Sequence, residues 1–139
     1  MTRTFLDAGV LIAAARGTGV IAVRAHAILD DPERTFVTSD YIRMEVLPKA
    51  LYHKQSQEVL LYERFFSRAV QIVPPSVSLL RQAYTEASAF GLAALDALHI
   101  AAAKCSGSEE FITTERATKP LFRVTGIVIK TTDFSVVLF

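Results

Sequence analysis

Four acidic residues carry the strongest chemical signal in this 139-residue chain: Asp7, Glu45, Asp96 and Glu115. Carboxylate oxygens without cysteine ligands suit hard divalent cations such as Mg²⁺ or Mn²⁺. One or two such ions can activate a water molecule, orient a phosphate and neutralise charge on a leaving oxygen. If the fold gathers these four side chains, we expect metal-dependent cleavage of a phosphodiester.

Short apolar strands and longer helices alternate along the sequence. β-branched and aromatic runs predict strands at 3–6, 35–38, 70–73, 111–113 and 127–130. Apolar residues at helical spacing predict helices at 10–15, 20–29, 40–53, 55–69, 76–90 and 92–105. Pro48 is expected to kink the third helix or to end its first part. The alternation predicts an α/β fold with three layers, α/β/α, around a central parallel sheet of about five strands.

Such a sheet would bring the four acids to one edge, because ligands bind outside the carboxyl ends of parallel strands. Asp7 ends the first predicted strand, Glu115 follows the fourth, and Glu45 lies in the helix after the second. Asp96 is in the first turns of the helix that precedes the fourth strand. That helix runs antiparallel to the strand, so its N-terminus lies at the same edge and its positive end favours a carboxylate.

Each of these residues also has a structural interpretation when it is taken alone. Asp7 could cap a helix, and Glu45 could lie on a solvated helix face. Asp96 has apolar neighbours at helical spacing, so it needs a metal, a salt bridge or capping amides to offset its burial. His99, one turn further on, fits a buried histidine with a satisfied ring better than a ligand. The expected convergence of the four acids favours a site.

The charge balance permits a polyanionic ligand without requiring one. The chain has 15 basic and 14 acidic residues, for a net charge of +1. If four acids are committed to metal, the remaining residues carry +5, which suits a polyanion. Arg116, Lys119 and Arg123 are placed to hold a nucleic-acid backbone, or else they belong to a solvated loop.

Little in the sequence points to export or to a membrane. The apolar stretch 5–15 is too short to span a bilayer, and Asp7 makes it a poor secretory signal. Cys105 is the one cysteine, so no disulfide forms within the chain. We therefore expect a cytoplasmic location.

Four segments resemble the PIN-domain ribonucleases in order and spacing: FLDAGVLIAAA at 5–15, YIRMEVLPKAL at 41–51, LDALHIAAA at 95–103 and FITTE at 111–115. The resemblance implies a single PIN-like domain over 1–139 with metal-dependent endoribonuclease activity on single-stranded or structured RNA. Many bacterial and archaeal members are VapC-type toxins, neutralised by a small antitoxin protein, and many form homodimers. The family's catalytic, metal-binding acids carry over to Asp7, Glu45, Asp96 and Glu115, with Mg²⁺ or Mn²⁺ as the cofactor.

Two positions depart from the usual pattern of that family. Gly9 stands where Ser, Thr or Asn is common, and it offers only a backbone amide. Glu115 stands where Asp is more common, and it is one methylene longer, so it could bind metal directly or through water. These departures leave a catalytically degenerate RNA- or metal-binding module as an alternative.

Short motifs suggest two further functions. Gly17-Thr18-Gly19 opens a G-x-G-x-x-A match that ends at Ala22, which would suit a small dinucleotide-binding domain. That motif needs a strand before it, and the alanine run that ends at Arg16 makes a poor strand. A phosphatase of the aspartyl-nucleophile class would need a second Asp two residues after Asp7, where Gly9 stands.

Overall fold

Five parallel strands form the central sheet of the computed structural model, which describes residues 1–133. The strands are Thr2–Leu6 (β1), Arg34–Ser39 (β2), Gln71–Val73 (β3), Glu110–Thr113 (β4) and Val128–Thr131 (β5). Their order is β3-β2-β1-β4-β5, and each neighbouring pair is parallel. The predicted parallel sheet of five strands is confirmed. Residues 134–139, the end of the domain expected from the sequence, lie outside the described part.

Six helices flank this sheet and complete the predicted three-layer α/β/α architecture. They are Ala8–Arg16 (α1), Gly19–Leu29 (α2), Asp40–Tyr52 (α3), Ser56–Arg68 (α4), Val77–Phe90 (α5) and Ala94–Cys105 (α6). A short 3₁₀ helix, Pro120–Arg123, precedes β5. All six helices coincide with predicted ones to within a few residues.

Local sequence signals explain where several of these helices begin and end. The Ser39 and Ser76 hydroxyls accept hydrogen bonds from backbone N–H groups in the first turns of α3 and α5. Gly91 ends α5 in the left-handed conformation, with φ of 67°. Because Ser39 is also the last residue of β2, the cap fixes the point at which α3 leaves the sheet and carries Glu45 along its edge.

Pro48 does not end the helix in which it lies, so that part of the prediction was wrong. Helix α3 continues from Asp40 to Tyr52 with Pro48 inside it. A proline within a helix removes the hydrogen bond to the carbonyl four residues earlier. Here that carbonyl belongs to Met44, which is 72% exposed, so water can take the place of the missing donor.

The Gly17-Thr18-Gly19 motif lies between two helices, which contradicts the dinucleotide-binding alternative. Gly17 is the C-cap of α1, and its N–H donates to the Ala13 carbonyl. The dinucleotide fingerprint requires a strand before its glycines so that the turn and the next helix can hold a pyrophosphate. The helix α1 in that position removes this context.

A continuous core lies under the carboxyl edge of the sheet. Phe5 of β1 stacks on Phe111 of β4, with ring centroids 5.6 Å apart. Ala101, Ala102 and Ala103 of α6 are fully buried. Because the small side chains let α6 pack closely, the elements that carry Asp7 and Asp96 have a rigid base.

Within residues 1–133, no individual helix has both the length and the apolar character needed to cross a membrane.

Candidate metal centre

Asp7 lies at the junction between β1 and α1, at the centre of the carboxyl edge. Its Oδ1 accepts a hydrogen bond from the Ala8 N–H at 2.8 Å, and its Oδ2 accepts one from the Thr113 hydroxyl at 2.9 Å. Burial raises the pKa of the Asp7 carboxyl, and the nearby His99 ring and these two hydrogen bonds oppose that rise. The residue is both the N-cap of α1 and part of a charged cluster, so the two interpretations of Asp7 hold together.

Glu45 of α3 reaches the same edge and is hydrogen-bonded to His99 of α6. The Glu45 side chain is 30% exposed, whereas His99 is 1% exposed, and the bond joins Oε1 to Nε2. One ligand atom from each of Asp7, Glu45 and His99 lies within 4.8 Å of the others. In residues 1–133 the other ring nitrogen, Nδ1, has no hydrogen-bond partner.

His99 therefore belongs to the candidate site, which the sequence pattern did not favour. The expectation of a buried histidine is confirmed, but only one of its two ring nitrogens is satisfied within the described chain. Its position three residues after Asp96 was the available signal, because residues at this spacing share a helix face.

Asp96 lies in the first turn of α6, as predicted. Burial is the main cause that raises the pKa of its carboxyl, and the charges of Asp7 and Glu45 raise it further. No residue between 1 and 133 donates a hydrogen bond to this carboxylate or forms a salt bridge with it. The alternative in which capping amides or a cation satisfy Asp96 therefore does not apply within the described chain.

Glu115 is two residues beyond the end of β4, and its backbone is held from both sides. Its N–H donates to Thr113 Oγ1 at 3.1 Å, and its carbonyl accepts a hydrogen bond from the Thr131 hydroxyl. Burial raises the pKa of the Glu115 carboxyl, the charges of Asp96 and Asp7 raise it further, and Lys119 lowers it. Glu115 is thus electrostatically coupled to the other acids, although it is outside the tight group formed by Asp7, Glu45 and His99.

Thr113 connects two of the acidic residues, and sequence reasoning did not identify it. Its hydroxyl donates to Asp7 Oδ2 and accepts from the Glu115 N–H. The side chain is fully buried at the last position of β4. Because one hydroxyl orients the Asp7 carboxylate and fixes the turn that leads to Glu115, Thr113 couples the positions of both.

The three basic residues near this edge differ in their surroundings. Lys119 is close enough to Glu115 to lower the pKa of that carboxyl. Arg116 is exposed, and its Nε lies 3.4 Å from Asp133 Oδ2. Arg123 donates to the Phe90 carbonyl at 3.2 Å, so it contacts the C-terminal end of α5. Of the three, Lys119 is therefore the one whose charge reaches the cluster.

The donor set fits a hard divalent cation. Asp7, Asp96 and Glu115 all have raised pKa values, and carboxylates that face one another contribute to each rise. A cation bound among them would remove this repulsion and favour the charged forms. Oxygen donors from several elements around a buried carboxylate are the ligands that Mg²⁺ and Mn²⁺ prefer.

Comparison with known proteins identifies the family. The PIN domain model matches residues 4–120. The chain therefore belongs to the PIN domain family, and the resemblance seen in the sequence is confirmed at that level. A search of curated protein sequences found no match.

Several solved structures share the fold. VapBC2 from Rickettsia felis, bound to a DNA fragment from its promoter, has a TM-score of 0.71 and 17% identity, over 95% of this chain and 100% of that one. A toxin–antitoxin complex from Klebsiella pneumoniae has a TM-score of 0.69 and 24% identity, over 90% and 95%. VapC20 from Mycobacterium tuberculosis, described as a toxin that cleaves the sarcin–ricin loop, has 0.60 and 16%, over 78% and 86%. At these identities the likeness concerns the fold.

Proposed function

We propose that this chain is a metal-dependent endoribonuclease that acts as the toxin of a toxin–antitoxin pair. The proposal takes residues 1–139 as one PIN-like domain, with Asp7, Glu45, Asp96 and Glu115 as its catalytic and metal-binding acids. The observation that carries it is the group formed by Asp7, Glu45 and His99 at the carboxyl edge, whose ligand atoms lie within 4.8 Å of one another. Burial and neighbouring carboxylates also raise the pKa values of Asp7, Asp96 and Glu115. A repulsive arrangement of this kind costs stability, and a bound cation is the simplest reason for a fold to keep it.

The residues around the acids supply the positioning that catalysis would need. Thr113 and the Ala8 N–H hold the Asp7 carboxylate, and His99 holds that of Glu45. One or two Mg²⁺ or Mn²⁺ ions held there would lower the pKa of a bound water and neutralise charge on the phosphate. Lys119 is close enough to act on the Glu115 carboxyl, and Lys119 and Arg116 are the candidates for contact with backbone phosphates.

RNA is the proposed substrate for three reasons. The sequence resembles PIN-domain ribonucleases in its acidic segments, and the structurally similar VapC20 is described as a toxin that cleaves the sarcin–ricin loop. The positive charge left once the four acids are committed to metal also suits a polyanion. Because the proposed substrate is cellular RNA, we propose the cytoplasm as the compartment.

We also propose an antitoxin partner and a homodimer. Structures with the same fold are complexes of toxin and antitoxin. Two helices expose apolar side chains that such contacts could bury, on α2 and α5: Val20, Ile21, Val23, Val77, Leu80 and Tyr84. Sedimentation of the purified chain, alone and with the product of an adjacent small gene, tests both assemblies. A monomer that no such product binds would contradict them.

The direct test is cleavage of a single-stranded RNA by the purified chain. Wild type should cut in Mg²⁺ or Mn²⁺ and stop in chelator. Asp7→Asn should lose at least about 100-fold in rate while keeping its fold, because an amide removes the charge that holds the ion. Glu109→Gln, on an exposed residue, is the matched control and should cut normally. RNA binding without cleavage by the wild type, at any metal concentration, would favour the degenerate-module alternative.

A further inference from the structure

Gly9 occupies a position where the backbone does not require glycine. It is the second residue of α1, in a regular helical turn. The glycines with positive φ in the described chain are elsewhere: Gly19, Gly91, Gly107 and Gly126. A glycine inside a helix costs about 1 kcal/mol relative to alanine. Another feature must therefore account for the missing side chain.

The hydroxyl of Thr114 accounts for it. A Cβ built on Gly9 would lie 2.3 Å from Thr114 Oγ1, a distance that real atoms do not tolerate. The same Cβ would lie 3.4 Å from both Thr114 Cβ and Cγ2, which is ordinary contact. The hydroxyl oxygen alone thus fills the volume that a side chain at position 9 would use.

Thr114 is also bracketed by residues of the candidate metal centre. Thr113, immediately before it, donates to Asp7, and Glu115, immediately after it, is coupled to Asp7 and Asp96. Thr114 itself is half-buried. In residues 1–133 its hydroxyl makes no hydrogen bond, and its oxygen lies beside Gly9, two residues after Asp7.

We propose that Thr114 contributes its hydroxyl oxygen to the divalent-ion site, directly or through a water of the ion. The residue that follows β4 then provides the oxygen ligand, because Gly9 of α1 has no side chain that could provide one. The inference rests on the proposed metal site and names an additional binding residue in it. Thr114 and Gly9 act as a pair, because the hydroxyl in its present rotamer occupies the position of a Cβ at residue 9.

The test measures Mn²⁺ affinity of the full chain without RNA, from electron paramagnetic resonance of the free ion. Thr114→Val keeps the shape but removes the hydroxyl, and it should weaken Mn²⁺ binding about tenfold, as for other residues that support a metal ion. Thr114→Ser should bind within about twofold of wild type. Thr85→Val is the matched control, because Thr85 is an exposed residue of α5 whose hydroxyl bonds to the Arg81 carbonyl.

A second variant moves the hydroxyl to the other side of the contact. Gly9→Ser in a Thr114→Ala background fits, because the 2.3 Å contact is removed and the remaining contact with the Cβ of residue 114 is 3.4 Å. We expect the double variant to bind Mn²⁺ more tightly than Thr114→Ala alone. Gly9→Ser in the wild-type background should lower the melting temperature, because it forces Thr114 to move.

The outcomes separate this inference from the proposed function. Wild-type affinity in Thr114→Val overturns the inference even if the chain cuts RNA, and so does a double variant that binds no better than Thr114→Ala. A Thr114-dependent Mn²⁺ affinity in a chain that cuts no RNA supports the inference while the ribonuclease proposal fails. A wild type that binds no Mn²⁺ overturns both.

Discussion

The two ends of strand β4 carry buried or half-buried acids in opposite electrostatic settings. At its start, Glu110 is 3% exposed and pairs with two cations. Arg34 Nε lies 3.4 Å from its carboxylate, and Lys130 Nζ lies 3.2 Å from it. Beyond its other end, burial raises the pKa of the Glu115 carboxyl, the charges of Asp96 and Asp7 raise it further, and Lys119 opposes the rise only in part. One end is neutralised by the chain itself, whereas the other is the end at which we propose that a cation binds.

This contrast separates the acids that the chain itself neutralises from the acids that we propose bind a ligand. The pair between Glu86 and Lys104, with 2.7 Å between Oε1 and Nζ, follows the same pattern as Glu110. A buried carboxylate that serves stability has its counter-charge in the same chain. At the carboxyl edge, burial and the neighbouring carboxylates together outweigh the opposing charges of His99 and Lys119, so the pKa values of Asp7, Asp96 and Glu115 are raised. This pattern supports the proposed binding site.

The largest expected effect on stability comes from removing the Glu110 carboxylate, and with it the two ion pairs at the start of β4. Glu110→Ala leaves Lys130 and Arg34 without their buried partner, although Arg34 keeps a second contact to Asp31 at 2.8 Å. We expect a loss of about 2–3 kcal/mol in the free energy of unfolding, somewhat below the usual cost of breaking a buried pair. Urea denaturation measures this loss. RNA cleavage at a temperature where the variant is folded should remain.

Glu109→Ala is the control for that experiment, because Glu109 precedes Glu110 but is exposed. Its effect should stay within about 0.5 kcal/mol. If both variants lose the same free energy, the ion pairs of Glu110 do not stabilise the amino edge, and the comparison between the two ends fails.

The next effect is the stabilisation of the carboxyl edge by metal. Mn²⁺ at 100 times its Kd should raise the free energy of unfolding by about 2.7 kcal/mol, if it binds only the folded state. Thermal unfolding with increasing Mn²⁺ measures this gain. Asp7→Asn should lose most of it, whereas Glu110→Ala, although less stable, should keep the full increment. Equal increments in wild type and Asp7→Asn would place the metal elsewhere.

Much of this arrangement was predictable from the sequence. The spacing of apolar residues predicted the five strands of the sheet and the six helices that flank it in residues 1–133. Each element buries one face, and the residues of that face recur at a regular interval along the sequence. The edge that holds Asp7, Asp96 and Glu115 followed from the direction of parallel strands. These features depend on topology, which a pattern of residue types can define.

Other features depend on atomic contacts between distant residues, which no local pattern contains. The bond from His99 to Glu45 joins residues 54 apart, and that from Thr113 to Asp7 joins residues 106 apart. Gly9 could be identified from the sequence only as a departure from a family pattern. The contact between Gly9 and the Thr114 hydroxyl forms only in the folded chain.

A smaller, pH-dependent effect is expected for Asp96→Asn without metal. The folded-state pKa of Asp96 is raised, so the protonated form favours folding and this contribution is lost as pH rises through the raised value. The Asp96→Asn variant does not lose stability in this way, because its amide does not ionise. It should match wild type near pH 4 and exceed it in stability at pH 7.

Chelator-treated protein is required for that comparison, because a bound ion reverses the sign. The measured quantity is the Tm difference between variant and wild type at each pH, in which other titrating groups largely cancel. The Asp96 charge also raises the pKa of Glu115, so its removal changes the titration of both residues, and the Tm difference includes both. A difference that does not change with pH would contradict the electrostatic account of this edge.

The smallest effect, and the most specific, concerns Glu115. A Glu carboxylate reaches about 1.5 Å further from the backbone than that of Asp, one additional C–C bond. Coordination distances to Mg²⁺ are about 2.0–2.1 Å, so the additional length of Glu decides whether the side chain binds the ion directly. We propose that Glu115 acts through a bound water, or on a second and weaker ion, while Asp7 and Asp96 hold the first.

Glu115→Gln should therefore raise the Mg²⁺ concentration needed for half-maximal cleavage by about tenfold and lower the rate, yet leave the tight Mn²⁺ site in place. Glu115→Asp should retain measurable cleavage, because the charge remains and Thr113 and Thr131 still hold the backbone at this position. Metal titrations of cleavage for both variants, with Glu109→Gln as the exposed control, measure these differences. If Glu115→Gln shows the wild-type rate and the wild-type Mg²⁺ dependence, the site has three carboxylates, and the raised pKa of Glu115 reflects its neighbours without a role in binding.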